Sequence, residues 1–195
     1  MDNRSVNRVT LLNITIFVEA FLLLMATVWS QLVKLDLAGH LVPSARFILL
    51  GSVIGIGMAA LGYALFRLFK SVGLFSQMQD LIYNYLMPLV ADLRWPDLLL
   101  LAAVSGFCEE VFFRGVVQPQ FGLVLTSLVF GFFHDPSFKH ISYSLVAFLY
   151  GLLLGWLYDY TGTLWVPIMA HIVHNFISLC ILRFVMKPPA APQSS

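Results

Sequence analysis

Apolar residues fill six long stretches of this chain, and polar residues gather between them or at a few points inside them. The stretches are Leu11–Leu32, Phe47–Phe69, Leu98–Gln118, Phe121–His134, Tyr143–Tyr158 and Leu164–Met186. A helix needs about 20 apolar residues to cross roughly 30 Å of hydrocarbon. The fourth and fifth stretches are shorter, which is tolerable where a polar helix end is packed inside protein. None alternates apolar with polar as a barrel strand would. The pattern predicts an all-α, polytopic integral membrane protein with about six transmembrane helices around a polar active-site cavity. Between the second and third stretches, Ser71–Trp95 is moderately amphipathic. It is expected to break at Pro88 and either to rest on the membrane surface or to form a partial extra span.

Composition agrees with the pattern. The 195 residues are 59% hydrophobic and 11% charged, with a mean hydropathy of +0.87, where soluble domains carry roughly 25% charged residues. The formal net charge of +1 and the lack of a basic cluster argue against a nucleic-acid partner. Cys108 and Cys180 lie in apolar runs and read as packing residues, not a disulfide. The first apolar run lacks a cleavage site followed by a soluble domain, so it reads as a retained helix. Lysine and arginine placement sets the orientation. With the amino terminus in the cytoplasm, that side receives Arg4, Arg8, Arg67, Lys70, Arg94, Lys139, Arg183 and Lys187, and the far side only Lys34 and Arg46. Six spans with both termini inside satisfy this bias. Gly51/Gly55 and Gly151/Gly155 are spaced for close helix contacts. No internal repeat divides the chain, so residues 1–195 read as one membrane domain.

The chemistry concentrates in three places. Glu109 and Glu110 are adjacent inside an apolar run, where ionisable groups are costly and mark function by default. Arg114, four residues beyond Glu110, shares its helical face and can pair with it, while Glu109 points about 100° away, toward a cavity. His134 ends the run Phe130-Gly131-Phe132-Phe133-His134, and Asp135-Pro136 stops the helix. His171 and Asn175 share a face of the last span, which opens with Trp165-Val166-Pro167 and a potential kink at Pro167. His174 reads as a packing neighbour or a substitute for His171, and His40 and His140 as ordinary loop residues.

A carboxyl with an elevated pKa can take a proton from water, a histidine can share that proton, and a second histidine with an amide can hold an oxyanion. Glu109, His134, His171 and Asn175 therefore suit amide hydrolysis without a covalent intermediate. Zinc held by Glu109, His134 and His171 is the alternative, although His-Glu-x-x-His is absent. A serine nucleophile at Ser105 lacks Gly-x-Ser-x-Gly. Asp135 and Asp159 lack aspartate partners in neighbouring spans. Two readings from other classes remain: a proton-coupled membrane transporter component, and a noncatalytic immunity or anchoring protein.

Glu109-Glu110-x-x-x-Arg114, Phe130-x-x-x-His134 and His171-x-x-x-Asn175, in this order, resemble the CPBP family of intramembrane proteases, the CAAX prenyl protease, ABI or Rce1-like relatives. The likeness covers residues 98–179, expected to be the catalytic core, and extends to Phe113-Arg114-Gly115 and Trp165-x-Pro167. It implies a glutamic-type endopeptidase acting on a membrane-associated protein or peptide through a cavity open to the cytoplasm and the membrane. By that resemblance Glu109 is the water-activating base and His134 its partner. His171 and Asn175 polarise the scissile carbonyl, Glu110 and Arg114 support the site, and no cofactor is required. Only two spans precede the glutamates, a reduced scaffold that suits a prokaryotic cell membrane. Substrate identity, oligomeric state and metal dependence stay open. Depth counting leaves a tension, since it places His134 near one membrane face, Glu109 in the middle and His171 toward the other. Tilted or broken helices would be needed to unite them.

Overall fold

The computed structural model describes residues 7–68, 73–135 and 139–186, apart from the side chains of residues 74 and 75. Arg4, Lys70, Lys187 and the proline-rich tail lie outside these. The described residues form α1 (Arg8–Leu32), a short α2 (Leu37–His40), α3 (Ala45–Leu68), α4 (Gly73–Leu81), α5 (Met87–Val90), α6 (Trp95–Phe112), α7 (Gln118–His134), α8 (Ile141–Thr161) and α9 (Trp165–Cys180). π-helical turns at Ile82–Leu86, Phe113–Val117 and Ile181–Val185 join α4 to α5, join α6 to α7 and extend α9. No strand occurs among the described residues. The protein is all-α and polytopic.

Five helical stretches are long and apolar enough to cross a membrane, and one of them, Trp95–His134, runs for 40 residues. It is not a single rod. Gly122 has φ +77° and ψ 167° within α7, a conformation that only glycine adopts without steric cost. Helix α8 shows what the break does. Arg114 Nη2 donates to the Gly151 carbonyl at 3.0 Å, and a β-carbon on Gly151 would sit 3.2 Å from Ser127 Cα. Residues 114 and 127 are therefore level with each other, on either side of Gly122. The chain reverses there into a helical hairpin with arms 95–121 and 123–134. These arms are the third and fourth stretches of the sequence pattern, so the six apolar stretches are carried on five long helices. The second arm, at 12 residues and about 18 Å, penetrates only part of the bilayer.

The two ends of the bundle are distinct. At one, Arg8 clamps Asp97 at 2.6 and 2.5 Å, Arg183 Nε donates to the Leu93 carbonyl at 3.3 Å, and Leu11, Leu98 and Leu182 share a cluster. At the other, His40 Nδ1 meets the Gly162 carbonyl at 3.0 Å and Trp165 Nε1 donates to Leu41 at 2.8 Å. Both ends of the described chain thus lie on the same side. Stacked aromatic pairs, Trp95/Phe184 and Trp156/Tyr160, mark the two ends, as expected of interfacial aromatic residues. Helix α1 shows how lipid-facing the surface is. Its only buried residues are Glu19, Ala26 and Ser30, while Phe17 and Leu24 are largely exposed.

Small residues bring backbones together. A β-carbon on Gly55 would lie 2.5 Å from the Ala170 carbonyl oxygen, and one on Gly51 would strike the Val166 carbonyl oxygen, so α3 packs against α9 as the glycine spacing predicts. Two expectations need correcting. The stretch from Gly73 to Val90 does not break at Pro88: the backbone stays right-handed helical, and the π-helical turn at Ile82–Leu86 precedes the proline in the first turn of α5. A wide turn accommodates the amide hydrogen that proline lacks. Nor does Pro167 kink the last span. It falls in the first turn of α9, where no amide hydrogen is needed.

Candidate active site

The site lies between the hairpin, α8 and α9. At its base is a buried ionic knot. Glu110 Oε1 accepts from Arg114 Nη1 at 2.9 Å and pairs with His171 Nδ1 at 2.8 Å, with Glu110 and Arg114 both fully buried. The π-helical turn that begins at Phe113 widens the helix at this point, as π-turns at functional sites often do. Arg114 thereby reaches both Glu110 and α8, and its guanidinium lies 4.5 Å from the Phe130 ring centroid on the returning arm. The Arg114 guanidinium and the hydrogen bond from His171 keep the Glu110 carboxylate from standing alone inside the bilayer.

Above the knot is a cavity of about 80 Å³ lined by Phe130, His134, Tyr143, Tyr150, His171, His174 and Asn175 among others. The hairpin removes the depth tension. Glu110 and His134 each lie twelve residues from Gly122, on opposite arms, so His134 ends its arm close to the level of the glutamates. His134 Nδ1 pairs with the Phe130 carbonyl at 2.8 Å. A carbonyl only accepts, so Nδ1 carries the hydrogen and Nε2 is left for other chemistry. Its ring contacts Phe130 and Tyr143. Asn175 Nδ2 donates to Ser105 Oγ at 3.1 Å, which ties α9 to α6 beside Gly106, where a β-carbon would sit 2.7 Å from Ile172.

Not every candidate assembles as expected. Glu110, Arg114 and His171 are in direct contact, and His134 and Asn175 line the same cavity as His171. Glu109, half-buried, is not among the cavity-lining residues and forms no hydrogen bond with His134. Its Oε2 is buried without a partner among the described residues, and its carboxyl instead interacts with that of Glu19 on α1. His174 also lines the cavity, its ring against Tyr150 at 4.7 Å. His140 is not an ordinary loop residue. It is buried, its amide donates to Asp135 at 2.5 Å, and its Nε2 meets Asp80 on α4 at 3.1 Å.

That Asp80–His140 contact and the pairing of Gln77 with the Ser142 amide fasten the α4–α5 segment over the start of α8. The Asp80 carboxyl, outside the spans, is held below its ordinary pKa first by a hydrogen bond from Asn84 and then by His140. Lys139, bonded to the Tyr85 hydroxyl, titrates above the usual lysine range. Sequence reasoning passed over Glu19, although the argument that singled out Glu109 applies to any carboxyl in an apolar run. Tyr143 and Tyr150 carried no pattern that set them apart.

Among the described residues no group of three His, Cys, Asp or Glu side chains is arranged to hold a metal ion. As placed, Glu109, His134 and His171 do not fit the zinc alternative.

Residues 91–177 match the family model described as Type II CAAX prenyl endopeptidase Rce1-like. A Bacillus subtilis (strain 168) protein described as "Uncharacterized protein YpbD" is 36% identical over 92 residues, which is 46% of this chain and 47% of that protein. The match thus spans about half of each. No solved structure matches the chain.

Proposed function

We propose that this chain, whose residues 91–177 match the Rce1-like family model, is an intramembrane endopeptidase that hydrolyses a membrane-associated protein or peptide. The observation that carries this reading is the division of the two adjacent glutamates. Glu110 is consumed by Arg114 and His171, whereas Glu109 has a buried oxygen, Oε2, with no hydrogen-bond partner among the described residues. A transporter relay or a passive anchor has no need of one carboxyl bound to a cation and an adjacent one without an ion pair among the described residues.

In the proposed reaction Glu109 takes a proton from water as the water attacks the scissile carbonyl, and His134 Nε2 orients that water or shares its proton. The bond order of the carbonyl falls, and negative charge gathers on its oxygen. His171, whose Nδ1 is held by the Glu110 carboxyl at 2.8 Å, presents Nε2 to that oxygen as a donor. Asn175 supplies an amide N–H from the same face of α9. Donors held in place before the charge develops stabilise the transition state more than the ground state. The proton then passes to the departing amine and the peptide bond breaks. Glu110 and Arg114 hold His171 in orientation. Each step uses a residue of the ordered sequence trio, and no step is routed through a metal.

The prokaryotic cell membrane, with both termini cytoplasmic, is the proposed setting; the same-side termini and the lysine and arginine bias support it. The test is cleavage of a membrane-reconstituted peptide library by purified wild type and Glu109→Gln, with bound zinc quantified on the same samples. Cleavage by metal-free wild type that is lost in Glu109→Gln is the expected result. Near-normal turnover by the variant refutes the base assignment. Stoichiometric zinc with chelator-sensitive cleavage favours the metalloprotease alternative.

A further inference from the structure

Helix α1 faces lipid over most of its surface, and its buried face is a single narrow stripe of Glu19, Ala26 and Ser30, at positions seven and four apart. Ala26 and the neighbouring Leu23 pack with Val111, Phe107 and Phe112 of α6. Glu19 stands on that stripe at 5% exposure. A membrane-embedded carboxyl on an otherwise apolar helix is expensive unless it has a partner. Among the described residues neither Glu19 nor Glu109 has an ion pair, and each has one buried side-chain oxygen, Oε2, without a hydrogen bond.

The two carboxyls meet across the α1–α6 contact. The other titratable groups facing them are Cys108 on α6, Arg114 on the π-helical turn, Tyr143 on α8 and His171 on α9. Arg114 and His171 are already committed to Glu110. Among the described residues neither carboxyl has an ion pair, and two carboxylates cannot both ionise side by side in an apolar surround. One proton held between them gives a donor to a pair that otherwise consists only of acceptors.

We propose that Glu19 is a positioning residue for Glu109: its neutral carboxyl donates an O–H hydrogen bond to the Glu109 carboxylate across the α1–α6 interface and fixes the orientation of the proposed base. This rests on the proposed hydrolytic role of Glu109 and extends it to a helix outside the matched residues 91–177. It also gives α1 a task in the site beyond anchoring. One oxygen of Glu109 is held by Glu19, and the other is left to face water.

Glu19→Gln keeps a donor of similar shape, and Glu19→Leu keeps volume while removing the donor. Both are compared with wild type and Glu109→Gln in the reconstituted cleavage assay, with elution profile and thermal melting as checks of folding. Glu19→Leu is expected to lower kcat on the order of 100-fold with KM unchanged, the scale of a misplaced catalytic group. Glu19→Gln is expected to restore most of that loss. Wild-type kcat in Glu19→Leu, an effect confined to KM, or a folded but inactive Glu19→Gln overturns the positioning role.

Infrared spectroscopy of the reconstituted protein at neutral pH supplies a readout that needs no substrate and no Glu19→Leu sample. A protonated-carboxyl band is expected in wild type, absent in Glu19→Gln and shifted in Glu109→Gln. Its absence in wild type, or its indifference to both substitutions, refutes the shared proton. The two ideas fail separately. Cleavage insensitive to Glu109→Gln sinks the hydrolytic reading while the band still decides the carboxyl pair. Cleavage that needs Glu109 but not Glu19 sinks this inference alone.

Discussion

Arg114→Met tests whether the buried knot holds the site together. Methionine keeps much of the apolar stem and its packing against Phe130, so the change removes the charge and little volume. Arg114 and Glu110 are both fully buried and bonded at 2.9 Å, and Arg114 also donates to the Gly151 carbonyl at 3.0 Å. Breaking a buried ion pair by deleting one partner costs about 3–5 kcal/mol, because the other charge is left uncompensated. The lost bond to Gly151 adds about 1 kcal/mol. His171 remains as a partner for Glu110, which favours the lower end, so a loss of roughly 3–4 kcal/mol is expected. Against a folding free energy of about 5–15 kcal/mol, that is a large fraction.

The double variant Arg114→Met/Glu110→Gln removes the stranded charge while the amide oxygen still accepts from His171. It should recover about 2 kcal/mol or more of the loss, the upper part of the coupling range for residues in contact. Reversible denaturant unfolding in mixed micelles, run on all four members of the cycle, measures this directly. Strict additivity, or a single variant within about 1 kcal/mol of wild type, would show that the pair is not the mutual support argued here.

Gly122→Ala forces a β-carbon into a backbone at φ +77° and ψ 167° and should destabilise the protein by about 1–3 kcal/mol, with cysteine cross-linking between positions 127 and 151 reduced; unchanged cross-linking would contradict the reversal. Gly55→Val drives side-chain atoms into the Ala170 carbonyl and should separate α3 from α9, seen as lower folded yield, whereas Gly57→Val, where a β-carbon meets nothing within 4 Å, should not. The Asp80 carboxyl titrates below its ordinary value in the folded protein. Its contribution to docking of the α4–α5 segment is therefore fully present above the unfolded pKa of about 4 and is lost as pH falls through the folded value. Protease accessibility of residues 73–90 should rise over that acid range in wild type and be raised already at neutral pH in Asp80→Asn; the same profile for both would remove the pair from that role.

The fold class, the span order and the Glu110–Arg114 pair were legible because each rests on a local rule: run length for crossing, four-residue spacing for pairing. The meeting of His171 with Glu110 was not, because it depends on how far each helix enters the bilayer, and depth counting assumed straight, full-length spans. The hairpin at Gly122 breaks that assumption, and a lone glycine in an apolar run does not announce a positive φ. Glu19 was missed for a different reason. Its helix carries no other chemistry, so only the packing of α1 on α6 gives the carboxyl a counterpart. His140 likewise needed Asp80, sixty residues earlier, before it ceased to look like a loop histidine.

The reversal at Gly122 also makes the hairpin a ruler. Each residue added or removed between Gly122 and His134 would slide the histidine by about 1.5 Å and swing it by about 100°, taking it out of the cavity in a single step. Changes in the connection beyond the arm would leave it where it is. Natural variation in this scaffold should accordingly respect a fixed count on the short arm and be free in length just past its end, so that the spacing from turning glycine to histidine marks a working site more sharply than the identity of any residue between them.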